Sequence, residues 1–138
     1  MRTAVTGADG QLGTNIVRTL LDRGHEPLCI VEPGRQTPTL DDLEVEKAEC
    51  DILDLNRLTG LFSECEGVVN AAGQARYWPR RSPAVDRVNI TGAETAGRAA
   101  KKAGVRRFVQ IGSAGSFQPG TKENPGNEDS GLNIGRFR

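Results

Sequence analysis

The chain has 138 residues, a length that suits one domain. Its 18 basic and 18 acidic residues cancel, so nothing in its charge advertises a nucleic-acid or anionic-membrane partner. No stretch approaches the roughly 18 apolar residues of a membrane span. The N-terminus enters an apolar run without the charged region of a signal peptide, and cytoplasm is the expected location. Cys29, Cys50 and Cys65 lie in or beside apolar segments with no CxxC spacing. They are expected to be structural thiols in a reducing compartment, and no metal site is expected.

Residues 2–6 (RTAVT) predict a strand that stops at Gly7. Over 11–23, Leu12, Ile16, Val17, Leu20 and Leu21 share one helical face, and Gly24 is placed to end that helix. LCIV at 28–31 reads as a buried strand closed by Pro33-Gly34, and residues 35–43 read as a loop. Val45 and Ile52 bracket a weak third strand. Asp54 is placed to cap a helix carrying Leu55, Leu58, Leu61 and Phe62.

GVVNAA at 67–72 predicts a fourth strand, followed by a loop over 73–83 with aromatics, arginines and two prolines. Residues 84–103 predict one long helix. Its inner face would be Val85, Val88, Gly92, Ala96, Ala99 and Ala103, small enough to lie close against a sheet. Gly104 ends it, and the pairs Lys101-Lys102 and Arg106-Arg107 read as its solvated end. RFVQI at 107–111 predicts a fifth strand, and from Gly112 onward no periodic element is visible. Alternating strands and helices imply an α/β fold, a Rossmann-type parallel sheet with helices on both faces. The expected strand order is 3-2-1-4-5.

The chemistry concentrates in TGADGQLG at 6–13, between the first strand and the first helix. A pyrophosphate is held by backbone N–H donors and the positive end of a helix, with no Cβ in the way. Gly7 permits the sharp turn, Gly10 lets phosphates approach, and Gly13 lets helix and strand pack closely. Gly7, Gly10, Gln11, Leu12 and Gly13 are therefore candidate dinucleotide-binding positions. The GxxGxxG spacing is one residue longer than GxGxxG, but it follows a strand and opens an amphipathic helix, which is the required context.

Glu32 lies 19 residues past Gly13, at the end of the second strand. A carboxylate there accepts hydrogen bonds from the ribose hydroxyls of NAD and repels the extra phosphate of NADP. Arg35 lies three residues on and could offset that repulsion. The expected cofactor is NAD, with NADP as the alternative; the plainer reading of Glu32 is a solvated turn residue.

Several stretches resemble the N-terminal part of an extended short-chain dehydrogenase/reductase, the NAD-dependent epimerase/dehydratase family. They are TGADGQLG at 6–13, GHEPLCIVEPG at 24–34, CDILD at 50–54, VVNAAG at 68–73, VNITGAETAGRAAKKAGVRRFV at 88–109 and IGSAGS at 111–116. Together they cover nearly the whole chain in the family's order. ARYW at 75–78 is similar to the dihydroflavonol-reductase-like branch.

The resemblance implies that Asp51 and Ile52 contact the adenine. It implies that Ala71, Ala72 and Gly73 run beside the cofactor, and that Asn89 ties neighbouring strands to the active site. It makes Ser113 the active-site serine whose hydroxyl holds a substrate oxygen. The substrate it implies is a sugar nucleotide or a similar hydroxyl or carbonyl compound, and a homodimer of the intact protein is compatible with it. A non-catalytic dinucleotide-binding sensor is the alternative function.

The family's chemistry also needs a tyrosine and a lysine spaced YxxxK, the lysine cation lowering the pKa of the tyrosine. The one tyrosine here, Tyr77, is followed four residues later by Arg81 and precedes the long helix, so it does not match that position. By family spacing the pair would begin just past Arg138. The chain is thus expected to be the dinucleotide-binding domain, residues 1–138, truncated after the fifth strand. It is expected to show neither NADH formation nor epimerisation alone; clear turnover by the purified 138-residue chain would refute this. The fifth strand is expected at an open sheet edge, which invites association.

Overall fold

A computed structural model describes residues 1–74 and 83–132. Five strands run β1 (Arg2–Thr6), β2 (Glu26–Val31), β3 (Glu46–Glu49), β4 (Gly67–Asn70) and β5 (Arg107–Gln110). They form one sheet ordered β3-β2-β1-β4-β5, every neighbouring pair parallel, as the alternation of elements predicts. The connections between β1, β2, β3 and β4 include α1 (Gln11–Asp22) and α2 (Leu55–Ser63). A longer helical segment precedes β5.

Side chains on a strand alternate between faces, and both faces of a parallel sheet are normally covered. Val5, Cys29 and Val31 join Val17 of α1 in one core. Ala4, Leu28, Ile30 and Val68 point the other way, onto Leu58 and Phe62 of α2 and Ala99 and Ala100 of the last helix. The predicted small-residue face is what permits that second contact, since Ala96 and Ala99 are fully buried. Val109 on the edge strand β5 remains 42% exposed, so the expected open edge is present among the described residues.

Helix ends follow the residues that mark them. Asp54 accepts a hydrogen bond from the Arg57 N–H at 2.9 Å and so caps α2. Gly24 and Gly104 both adopt the left-handed conformation that ends a helix, each with φ of +71°. Lys101 and Lys102 lie exposed in the last turn, as expected.

Several expectations need adjustment. Leu12 is 50% exposed rather than on the core face, because the first turn of α1 projects at the carboxyl edge of the sheet and buries Gly13 and Thr14 instead. The close approach expected at Gly13 falls at the end of β1: a Cβ there would collide with the carbonyl oxygen of Gly7 and lie 2.8 Å from the Ala8 Cα. The stretch 35–43 is not purely a loop. It contains a 3₁₀ turn, Pro38–Leu40, whose Leu40 is fully buried against the α1-side core.

The helix over 84–103 is interrupted. α3 (Pro83–Asp86) and α4 (Ala93–Ala103) flank a π-helical turn, Arg87–Gly92. Tertiary contacts made by Asn89 and Gly92 sit in that widened turn, which side-chain periodicity does not report. The tail after Gly112, where no periodic element is expected, holds a three-residue 3₁₀ turn, Ala114–Ser116, and an isolated antiparallel bridge between Phe117 and Leu132. Strand limits also shift: β4 ends at Asn70, leaving Ala71 and Ala72 beyond it.

All three cysteines are free and buried. Burial pushes the Cys29 thiol up from its ordinary 9.0 to about 11, with Lys47 opposing weakly. Burial likewise raises Cys50 to about 11, reinforced by Asp54. Between those values the unfolded chain has already released protons that the folded chain keeps, so stability must fall with rising pH. We expect the thiols to contribute no slope below about pH 8 and a progressive loss from 9.0 towards about 11. Urea midpoints measured across that range should show the loss, and a Cys29→Ala/Cys50→Ala double variant should have a flatter alkaline slope.

Candidate functional site

The strand order reverses direction between β1 and β4, and ligands of open α/β sheets bind at the carboxyl ends beside such a switch point. The glycine turn stands there. Gly7 has φ of +63°, a conformation that favours glycine, and a Cβ on it would lie 2.8 Å from the Ala72 Cα. The turn closes with Gly10 N–H donating to the Gly7 carbonyl at 3.0 Å. Thr14 secures it from the helix side, its hydroxyl donating to the Ala8 carbonyl at 3.0 Å.

Gly10 caps α1 with no side-chain hydrogen bond, and the first turn carries no acidic residue. The opening N–H groups of a helix have no intrahelical acceptor. Those of Gln11, Leu12 and Gly13 form the positive end of α1, and both Gln11 and Leu12 are exposed.

Beside the glycine turn lies an open cleft. Of the expected site residues, it brings together Gly7, Glu32, Asp51, Ile52, Ala72 and Gly73, whereas Gly10, Gln11, Leu12, Gly13 and Ala71 do not line it. Asp51 accepts from the Leu53 N–H at 2.9 Å with one carboxylate oxygen, which shapes the turn after β3. Ile52 is seated on Gly92, where a Cβ would come 2.9 Å from its methyl group. Ala71 donates its N–H to the Thr6 carbonyl at 3.3 Å, continuing the sheet just past β4.

Asn89 is not in the cleft lining but braces it. Its side-chain oxygen accepts from the Gln74 N–H at 2.8 Å, and its side-chain nitrogen donates to the Gln74 carbonyl at 2.9 Å. This reciprocal pair fixes the loop after β4 against the π-helical turn. Ser113 also lies outside the lining, exposed beyond the end of β5, where its hydroxyl oxygen accepts from the Gly115 N–H at 3.2 Å. Tyr77, Trp78 and the arginines Arg76, Arg80 and Arg81, in the loop after β4, lie outside the described residues.

Sequence reasoning missed two features. The first is Asp9, which lines the cleft with its side chain only 7% exposed and pairs with Arg35 at 2.6 Å. The second is a polar ladder beneath the cleft. The Thr6 hydroxyl donates to the Asn70 side-chain oxygen, whose amide nitrogen donates to Gln110 at 2.8 Å. The Thr6 hydroxyl also accepts from the Ala72 N–H at 3.3 Å. A polar Asn70 inside the apolar run GVVNAA was the available signal. Among the described residues, no group of three or more His, Cys, Asp or Glu could hold a metal ion, and no helix is long and apolar enough to cross a membrane.

The sequence profile of the NAD-dependent epimerase/dehydratase family matches residues 3–134. The chain belongs to this family. It is 33% identical over 116 residues to sterol demethylase protein B of Methylococcus capsulatus, covering 84% of this chain and 35% of that protein. It is 35% identical over 144 aligned residues to the UDP-glucose 4-epimerase of Mycolicibacterium smegmatis, covering 96% of this chain and 45% of that protein. Among solved structures, the Bordetella bronchiseptica enzyme WbmG in complex with NAD is 29% identical with a TM-score of 0.73, covering 88% of this chain and 41% of that one. The family member thus spans between about a third and a half of the length of these relatives.

The ladder yields a direct test. Thr6→Val keeps the shape but removes the hydroxyl, leaving the fully buried Asn70 oxygen without its donor. A loss of about 1–3 kcal/mol is expected from urea denaturation, and Thr6→Ser should recover most of it.

Proposed function

We propose that residues 1–138 are the dinucleotide-binding domain of an NAD-dependent enzyme that transfers hydride to or from a hydroxyl or carbonyl carbon of a sugar nucleotide or similar substrate. The observation that carries this reading is the left-handed Gly7 turn at the switch point, which lines the cleft and leads directly into the uncapped start of α1.

The residues present fit that cofactor. The N–H groups of Gln11, Leu12 and Gly13 would hold the pyrophosphate, with Gly7 and Gly10 keeping the approach free of side chains. Glu32, 66% exposed at the cleft mouth, would accept from the ribose hydroxyls. Asp51 and Ile52 would take the adenine, one by hydrogen bonding and one by packing. Ala71, Ala72 and Gly73 would leave room for the remainder, with Asn89 holding that loop in place.

When bound, NAD supplies the hydride acceptor. The protein's part is to position reactants and hold protons. The Ser113 oxygen accepts from Gly115, which leaves its own proton to donate to a substrate oxygen. The general acid/base is not supplied by the described residues, and Tyr77 lacks a lysine four residues on. The UDP-glucose 4-epimerase relative supports a sugar nucleotide as the substrate class.

Calorimetric titration of the 138-residue chain should show saturable one-to-one binding of NAD. Gly10→Asp would place a carboxylate at the cap, where it accepts the helix N–H groups and repels a pyrophosphate. The variant is expected to retain its circular-dichroism spectrum while losing about tenfold or more in affinity. A folded chain that takes up no NAD would sink the proposal.

A further inference from the structure

Glu32, Pro33, Gly34 and Arg35 form a tight turn after β2: the Arg35 N–H donates to the Glu32 carbonyl at 3.2 Å, and Gly34 has φ of +72°. The turn brings the Arg35 side chain back over the cleft mouth, beside the carboxylate expected to meet the ribose. A guanidinium here is where a phosphate on the ribose would find a bidentate donor. It is already engaged. Arg35 Nε lies 2.6 Å from the Asp9 carboxylate and Nη1 lies 3.5 Å from Glu32.

The two carboxylates differ in hold. Glu32 is 66% exposed, so its pairing is screened by water. The Asp9 side chain is 7% exposed and its contact is short, so its attraction acts through a lower dielectric. A nearly buried carboxylate also requires a charged partner, which ties Arg35 to it more strongly than exposure of Arg35 alone suggests. Asp9 is itself fixed, because it belongs to the glycine turn and its carbonyl accepts from the Thr39 hydroxyl at 3.0 Å. One cation between two carboxylates leaves a net negative group facing the position of a ribose phosphate.

We propose that Asp9 sets the preference for NAD over NADP by occupying Arg35, which would otherwise bind a ribose phosphate. This inference rests on the dinucleotide reading of the cleft and adds a specificity-determining residue to it. Glu32 repels the phosphate directly. Asp9 acts from inside the glycine turn by removing the cation that would compensate.

The test is the ratio of NADP to NAD affinity, measured by calorimetry on the folded 138-residue chain and its variants. Asp9→Asn keeps the side-chain shape, removes its charge and frees Arg35. NADP affinity should rise relative to NAD affinity by roughly tenfold to a hundredfold, the worth of one charge-assisted hydrogen-bond set. Asp9→Ala should shift the ratio in the same direction, which covers the case in which the introduced amide disturbs the turn. Adding Arg35→Ala to Asp9→Asn should abolish the gain, because no cation remains to receive the phosphate. If NAD binds but both Asp9 variants leave the ratio unchanged, the inference is overturned and the dinucleotide reading stands. If the folded wild-type chain binds neither dinucleotide, the reading of the cleft fails and the inference goes with it.

Discussion

The structure depends on one close backbone approach. The Gly7 carbonyl faces the first turn of α1 so closely that Gly13 has no room for a side chain, while the other side of Gly7 meets the backbone of Ala72. Three segments therefore converge on one glycine: the end of β1, the start of α1 and, from far along the chain, the segment after β4. Any Cβ at Gly7 or Gly13 would push at least one of them away. The helix start is thereby held against the glycine turn by backbone contact, beside a cleft that Gly7 itself lines. The fold and the anion-binding capacity rest on the same absence of atoms.

The surroundings of that turn are made rigid by polar groups of unusual placement. Thr6, Asn70 and Gln110 join β1, β4 and β5 at their carboxyl ends, just below the cleft. Asn89 clamps the next loop from above through both groups of the Gln74 backbone. A buried amide is costly unless its donors and acceptors are used, and here the ladder uses both. The cleft is thus bordered by strand ends that cannot shift independently. On its open side, Glu32, Asp9 and Arg35 set the sign of the local charge.

Much of this was legible in the sequence where a residue's chemistry forces a local conformation. Gly7, Gly24 and Gly104 all take left-handed angles at the positions where a turn or helix end was expected. Asp54 caps the helix it precedes. The parallel order β3-β2-β1-β4-β5 followed from alternating elements and right-handed crossovers. Legibility failed where the partner lies elsewhere in the chain. Leu40 looked like a loop residue because nothing near it in sequence is its neighbour in the core. The π-helical turn was hidden because Ile52 and Gln74, which contact Gly92 and Asn89, come from other segments.

The sequence by itself determined the strand–turn–helix unit at residues 2–22, the order of the sheet and six of the residues that line the cleft, from Gly7 to Gly73. These follow from dihedral freedom, apolar periodicity and chain handedness, which are local properties of the chain. Only the tertiary structure decided that Asp9 is nearly buried and bound to Arg35, that Asn70 bridges Thr6 and Gln110, and that Asn89 braces the cleft instead of lining it. Burial and charge pairing depend on what distant segments bring alongside, and no spacing within one segment records that.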